Sequence, residues 1–233
     1  MKIHRFAFLI TAASALMTAS SNSARALLID DFTQGSVTLT APPVVSNNQT
    51  DLSSNDVLGG AREIAFDALS PVTMSVNTAI HTFSYSVTSS SAIDFSLTYN
   101  GNAPATGYNL NLTAGGATGI DLDFAFNGTT GGNPGHLDVF FNSTNGAVQG
   151  QIYEFVPVPQ SSTPFTLYIP FNPANSSSTF DPTHTTSISI GTSNGNLPTN
   201  FALTRIYTAP EPSSLLLLAS PLALLLRRRP GNP

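Results

Sequence analysis

The chain predicts an all-β fold, with an antiparallel β-sandwich or jelly-roll-like body over residues 27–208. Apolar and polar residues alternate with a period of two along most of the middle of the chain. This period places one face of a strand in a core and the other face in solvent. Turn dipeptides rich in Gly and Asn separate the alternating segments. No segment has the apolar spacing of an amphipathic helix, and short strands in this number are typical of sandwiches and jelly rolls.

Residues 1–26 predict a signal peptide. Two basic residues lie within the first five positions, and the apolar run at 6–17 is too short for a good membrane-spanning helix. Ala24 and Ala26 form an A-x-A pattern, and signal peptidase accepts small side chains at these two positions. We therefore expect cleavage after Ala26 and a mature chain that begins at Leu27.

The body contains enough alternating segments to predict ten to thirteen strands. The clearest segments are 93–99, 120–126, 137–141, 165–169, 188–190 and 201–203. In the second of these, Ile120, Leu122, Phe124 and Phe126 are predicted to face the core.

Between these segments the sequence predicts turns and loops. The turn signals are Asn100-Gly101, Gly115-Gly116, Asn127-Gly128, Gly131-Gly132 and Asn145-Gly146. The polar segments 46–56 and 172–184 predict long loops.

Residues 209–229 form a three-part ending. Pro210-Glu211-Pro212 is stiff and extended, because each proline fixes its own φ and disfavours helix in the residue before it. The apolar run 215–226 predicts a short membrane helix, and the three arginines that follow would stay on the cytoplasmic side. The run of twelve residues would be about 18 Å long as a helix, shorter than a hydrocarbon core of about 30 Å.

This ending resembles the PEP-CTERM sorting tag of Gram-negative bacteria. The resemblance rests on Pro210, Glu211 and Pro212, on the leucine-rich run, and on the basic cluster of Arg227, Arg228 and Arg229. It implies recognition by an exosortase, a membrane-embedded cysteine protease, after transient anchoring in the inner membrane. It also implies a secreted or cell-surface protein, often associated with exopolysaccharide. A rival signal at 197–200 (LPTN) lacks the glycine and the spacing of a Gram-positive sortase motif.

The charge of the body excludes one class of partner. Twelve acidic residues between positions 27 and 209 are accompanied by only Arg62 and Arg205, so this segment has a formal charge of −10. Such a surface does not bind nucleic acid. The chain also has no cysteine, which excludes disulfides and thiol chemistry.

Acidic residues supply the candidate sites of the body. Asp121 and Asp123 share one strand face, and Asp138 is expected on a neighbouring strand. These carboxylates could bind calcium, act as a glycosidase pair or simply be solvated. Asp30 and Asp31 are a second candidate calcium site. We expect no other cofactor.

Two further patterns carry no expected chemistry. The G-x-S-x-G pattern at 191–195 is followed by a proline and another strand, where a hydrolase needs a helix, so it predicts a hairpin turn. His81, His136 and His184 lack the spacing of zinc ligands.

Three functions stay open from sequence. The first is a non-enzymatic surface or matrix protein with a structural or adhesive role. The second is a carbohydrate-binding module for exopolysaccharide, because segments 28–32 (LIDDF) and 60–63 (GARE) are similar to jelly-roll domains of the carbohydrate-binding type. Phe140 and Tyr153 would then be candidate sugar-stacking residues. The third is a glycan-active enzyme that uses the acidic face. Of the three, we expect a protein without a catalytic role.

Overall fold

Thirteen strands are present in the computed structural model, which describes residues 26–41, 45–68, 72–87, 93–101, 109–128, 135–145, 148–171, 180–192 and 200–209. In chain order they are β1 (Leu28–Asp30), β2 (Val37–Ala41), β3 (Val45–Gln49), β4 (Arg62–Ala68), β5 (Val72–Asn77), β6 (Thr82–Val87), β7 (Ile93–Tyr99), β8 (Gly119–Gly128), β9 (Gly135–Asn145), β10 (Val148–Val158), β11 (Phe165–Pro170), β12 (Thr185–Thr192) and β13 (Asn200–Ala209). Three short 3-10 turns are the helical elements of these segments (Leu58–Gly60, Ala114–Gly116 and Pro182–His184). The all-β prediction is confirmed.

The two predicted ends fall mostly outside the described residues. At the front, residues 1–25 of the predicted signal peptide, including Ala24, are outside the described residues. At the back, so is the chain from Pro210 onward, including the predicted helix 215–226. β13 ends at Ala209, so the sheet includes the first residue that the sequence assigns to the tag. Within the described part of the chain, no helix has the length and apolar character needed to cross a membrane.

The strands form two antiparallel sheets. The seven-stranded sheet has the order β11-β8-β13-β6-β5-β2, and β1 pairs with β13 beyond the end of β6. The six-stranded sheet has the order β10-β9-β12-β7-β4-β3. Each sheet therefore combines strands from distant parts of the chain, as in a sandwich with crossover connections.

The core lies between the sheets and is rich in aromatic side chains. Phe83 contacts Phe32, Phe95 and Phe201, with ring centroids 5.9, 6.1 and 6.2 Å apart. These rings come from both sheets and from the chain after β1. Each fully buried ring contributes about 1.5–3 kcal/mol. Most of the predicted core is confirmed, including Leu122, Leu137, Val139, Phe141, Ile188, Ile190 and Leu203.

One irregularity shifts the alternation of β8. Leu203 pairs with Phe124, whereas Ala202 pairs with Phe126, so Ala125 is an extra residue in β8. Phe126 is therefore only half-buried, whereas Asn127 is fully buried. The prediction that Phe126 lies in the core is wrong, because a bulge reverses the faces of the residues that follow it.

Parts of two predicted connections lie in strands, whereas residues 50–56 form a loop as predicted. Residues 45–49 belong to β3, an edge strand that pairs only with β4, and an edge accepts a polar sequence because it is packed on one side only. Asn127-Gly128 ends β8 and pairs with β13 instead of forming a turn. In both places, pairing with a distant strand overrides the local turn preference.

A buried ion pair and its hydrogen bonds join the start of the body to three strands of the six-stranded sheet. The side chains of Arg62 and Asp30 are both fully buried, and Arg62 Nη1 donates to Asp30 Oδ2. Arg62 also donates to Gln49 Oε1 at 2.7 and 2.8 Å and to the carbonyl of Gln34 at 2.7 Å. Tyr99 donates its hydroxyl to Asp30 Oδ2 at 2.8 Å. These bonds hold the chain after β1 against β3, β4 and β7.

Candidate functional site

The outer face of the seven-stranded sheet has a charged and aromatic cluster where β11, β8 and β13 lie side by side. We call it the β8 patch; it consists of Asp121, Asp123, Thr166, Tyr168, Arg205 and Tyr207. Asp123 pairs with Thr166 of β11 on one side and with Arg205 of β13 on the other. Asp121 pairs in the same way with Tyr168 and Tyr207. Core residues alternate with the members of the patch along β8, which directs the patch outward.

Asp123 is at the centre of the hydrogen bonds of the patch. Thr166 Oγ1 donates to Asp123 Oδ1 at 2.7 Å, and the Arg205 guanidinium lies 2.9 Å from Asp123 Oδ2. Tyr207 donates its hydroxyl to Asp123 Oδ1 at 3.5 Å, and it lies close enough to Asp121 to affect the pKa of that carboxyl. The Tyr207 hydroxyl therefore lies near both carboxylates.

Arg205 is the exposed cation of the patch. Its guanidinium carbon lies 4.3 Å from the centre of the Tyr207 ring, and its side chain is 51% exposed. Asp123 accepts hydrogen bonds from Nε and Nη2 of Arg205, which are two of the three nitrogens that carry the five N–H donors of a guanidinium. Although burial lowers the pKa of Arg205, the hydrogen bond and charge of Asp123 raise it overall.

The two carboxylates of the patch differ in environment. Burial raises the pKa of Asp121, the bond from Tyr207 lowers it, and the neighbouring charge of Asp123 raises it further. Burial and both carboxylates also raise the pKa of the Tyr207 hydroxyl. Tyr207 is therefore a neutral donor at neutral pH.

We expect the pKa of the Asp121 carboxyl to lie above the ordinary aspartate value of 3.8. Because the folded-state pKa is raised, its contribution to stability is complete below the unfolded pKa and is lost as pH rises through the folded pKa. NMR titration of the side-chain carbon measures the midpoint. Asp123→Asn should lower this midpoint and Arg205→Met should raise it; equal midpoints in all three proteins would contradict this electrostatic account.

A shallow open depression adjoins the patch. Its volume is about 390 Å³, and its lining residues are Asp123, Phe124, Pro164, Phe165, Thr166, Thr204, Arg205 and Tyr207. Phe165 stacks on Phe124 at 4.7 Å, which holds this side of the depression rigid. The depression thus combines apolar rings with donors and acceptors, as small-molecule sites do.

The structure does not assemble the three predicted carboxylates. Asp138 belongs to β9 in the other sheet, where it pairs with Phe155 and Gly191, and it is 1% exposed. The prediction that it neighbours Asp121 and Asp123 is wrong, because β8 and β9 are consecutive strands in different sheets. Asp138 lies on the outer face of its sheet but is covered, so it is not a solvated residue either.

Of the two predicted calcium ligands at the start of the body, Asp30 is held in an ion pair. Asp30 Oδ2 accepts from Arg62 and Tyr99, and its Oδ1 accepts from the backbone N–H of Phe32 at 2.8 Å. Asp31 Oδ1 accepts from the backbone and side chain of Thr33. A guanidinium therefore stands where a calcium ion would be needed beside Asp30. Calcium at Asp121 and Asp123 stays a prediction.

The histidines are dispersed over the fold. His136 is buried and stacks on Phe155 at 3.7 Å, and His184 lies 2.9 Å from Asp181. Among the residues that the structure describes, no three His, Asp or Glu side chains gather closely enough to hold a metal ion. Of the G-x-S-x-G pattern, Gly191 and Thr192 end β12, and the serine lies outside the described residues.

Sequence reasoning missed most of the β8 patch. Arg205 and Tyr207 follow an irregularity in β13, where Thr204 is an extra residue, so simple alternation does not place them beside Asp121 and Asp123. One signal was available: Arg205 is one of two cations in the body. Of the predicted sugar-stacking residues, Phe140 is half-buried. Tyr153 is in β10, but its side chain is not among those that the structure describes.

Several solved structures of carbohydrate-binding modules align with this chain at low sequence identity. A family 11 module of the cellulase Lic26A-Cel5E of Clostridium thermocellum has 14% identity and a TM-score of 0.39, over 79% of this chain and 94% of the module. The family 11 module from Clostridium thermocellum in complex with a β-1,3-1,4-mixed-linked tetrasaccharide has 14% identity and a TM-score of 0.36, over 79% of this chain and 95% of the module. A family 29 module from Piromyces equi has 10% identity and a TM-score of 0.33, over 76% and 99%. No protein-family model and no curated protein sequence matches the chain.

Proposed function

We propose that this chain is an exported, non-catalytic protein that binds neutral polysaccharide through the β8 patch, and that its C-terminal tag directs it to the cell surface. One observation carries the binding proposal: Tyr207, Arg205 and Asp123 form one hydrogen-bonded and stacked group on an open sheet face. The tag remains supported by its sequence alone.

The chemistry of a sugar matches this group. A pyranose has an apolar C–H face, which an aromatic ring covers, and a rim of hydroxyl groups, which both donate and accept. Tyr207 and Tyr168 offer rings with polar tips, and Arg205 and Asp123 offer charge-assisted bonds. Strands hold all four residues, so little ordering is needed on binding.

The charge of the body favours a neutral ligand. A segment with a formal charge of −10 repels polyanions, and Arg205 already bonds Asp123. A neutral polysaccharide meets no such repulsion. Its hydroxyl groups would reach the outward donors of Arg205.

The bonding of Asp123 supports a binding role over a catalytic one. Both of its oxygens accept bonds from within the patch, from Thr166, Arg205 and Tyr207. Those bonds occupy both carboxylate oxygens and leave the carboxylate poorly placed to attack a sugar. Asp138, the third predicted carboxylate, is in the other sheet.

We expect Tyr207→Ala and Arg205→Ala each to weaken polysaccharide binding at least about tenfold, a loss of about 1.4 kcal/mol. Affinity electrophoresis of the purified chain through gels containing different neutral polysaccharides, one per gel, measures this. Thr73→Ala is the matched control, since Thr73 is exposed on the same sheet but on β5, away from the patch. Unaltered mobility of the wild-type chain in every gel would refute the proposal. Binding by both patch variants that equals binding by the wild-type chain would refute it as well. Release of reducing ends by the wild-type chain would instead identify an enzyme.

A further inference from the structure

A second open depression continues the first along β8. Its volume is about 310 Å³, and it is lined by Ala125, Phe126, Asn127, Gly128, Gln160, Ser161, Ser162 and Asn200. The first depression ends on β8 at Phe124 and the second begins at Ala125, so consecutive residues line the two.

The same elements border both depressions. The connection between β10 and β11 supplies Pro164 to the first and Gln160–Ser162 to the second. β13 supplies Arg205 and Tyr207 to the first and Asn200 to the second. β8 forms the floor of both. The backbone of Asn127 bonds that of Ser161 in both directions, at 2.8 and 2.9 Å, which fixes the connection against β8. The two depressions therefore follow each other along β8, and we call them together the trough.

The bulge in β8 places an aromatic ring in the second depression. With regular alternation Phe126 would enter the core; after the extra residue Ala125, it is only partly buried and lines the second depression. Bulges next to binding sites often redirect a side chain in this way. The trough thus has an aromatic ring in each half, Tyr207 in the first and Phe126 in the second.

The trough has the length of a short oligosaccharide. Tyr207, which lines the first depression, pairs with Asp121, and Gly128 lines the second. Between these two levels β8 advances about 20 Å, at about 3.3 Å for each of six regular residues, since Ala125 is extra. Covalent bond lengths near 1.5 Å make a pyranose unit about 5 Å long in a chain. About four units therefore fit between the two ends. The second depression offers amides and hydroxyls, from Gln160, Ser162 and Asn200, and no charged side chain.

We infer that the trough binds a linear, neutral glycan chain of about four sugar units that runs along β8, and not a single terminal sugar. This inference rests on the proposed polysaccharide binding and adds the length and direction of the ligand. The end at Tyr207 and Arg205 supplies the stronger contacts, and the end at Phe126 and Asn200 supplies the additional units.

Isothermal titration of the purified chain with β-1,4-linked gluco- and manno-oligosaccharides of two to six units tests the inference. We expect affinity to rise at least about tenfold from two units to four and then to level off. Phe126→Ala and Asn200→Ala should remove that gain and leave binding of the two-unit sugar unchanged. Tyr207→Ala should weaken binding at every length.

The controls separate the two proposals. Phe155→Ala removes an exposed aromatic ring from the other sheet and should change nothing. Asn200 is exposed, so its variant remains informative even if Phe126→Ala disturbs folding. Equal affinity for sugars of two and four units, or unchanged binding of the four-unit sugar by Asn200→Ala, would contradict the inference of four-unit binding. Neither result would contradict polysaccharide binding by the β8 patch. Failure of every oligosaccharide to bind would overturn both.

Discussion

Replacing Arg62 with methionine is expected to destabilise the sandwich by about 3–5 kcal/mol, the usual cost of removing one partner from a buried ion pair. Asp30 would keep a buried carboxylate without its cation, and Gln49 and the carbonyl of Gln34 would lose their donor. The loss is a large share of the stability of an ordinary domain. Urea denaturation of the purified chain, followed by circular dichroism, measures it.

The pH dependence of this loss has a defined sign. Burial raises the pKa of Asp30, and the charge of Arg62 and the bonds from Phe32 and Tyr99 oppose that rise. Without Arg62 the pKa of Asp30 rises further, so the contribution of Asp30 is favourable at low pH and is lost as pH increases. The loss of stability in Arg62→Met should therefore be largest near neutral pH and should shrink as pH falls toward 3.8, the ordinary pKa of an aspartate.

Arg205→Met is the matched control, because Arg205 is the other cation of the body and its ion pair with Asp123 is half-exposed. It should cost less than about 1 kcal/mol. The double variant Asp30→Asn with Arg62→Met should recover part of the loss, since it leaves no buried charge at this site. Equal effects of Arg62→Met and Arg205→Met would show that the buried network does not hold the fold together.

Altering the C-terminal tag is expected to abolish processing by two separate routes. Glu211→Ala removes the one charge of the extended Pro-Glu-Pro element, so the precursor should reach the membrane and remain uncut. Replacing Arg227, Arg228 and Arg229 together with serine removes the barrier to translocation, because arginine costs several kcal/mol in hydrocarbon. The short apolar run should then slip across, and uncut precursor should leave the cell.

Expression in a host with an exosortase tests both routes, with precursor and product separated by size in membrane and medium. Ser213→Ala, next to the Pro-Glu-Pro element, is the control and should be processed normally. Normal processing of both tag variants would make residues 209–229 an ordinary anchor, and the sorting-tag proposal would fail.

The alternation of apolar residues determined much of the fold. Leu137, Val139 and Phe141 lie in the core as predicted, because a strand with one buried face must repeat every second residue. The class of the fold, the approximate number of strands and most core residues follow from this local rule. The charge balance likewise predicted an acidic surface without any structural information.

The tertiary structure decided which strands are neighbours, and with that the site. Asp123 and Arg205 are 82 residues apart in sequence and bond because β8 and β13 pair, whereas Asp138, much nearer in sequence, is in the other sheet. Asp30 and Arg62 form an ion pair for a different tertiary reason, because β1 and β4 belong to the two sheets that pack against each other. A bulge of one residue moved Phe126 out of the core. Local sequence carries no record of sheet order or bulges, because both depend on pairing between distant segments.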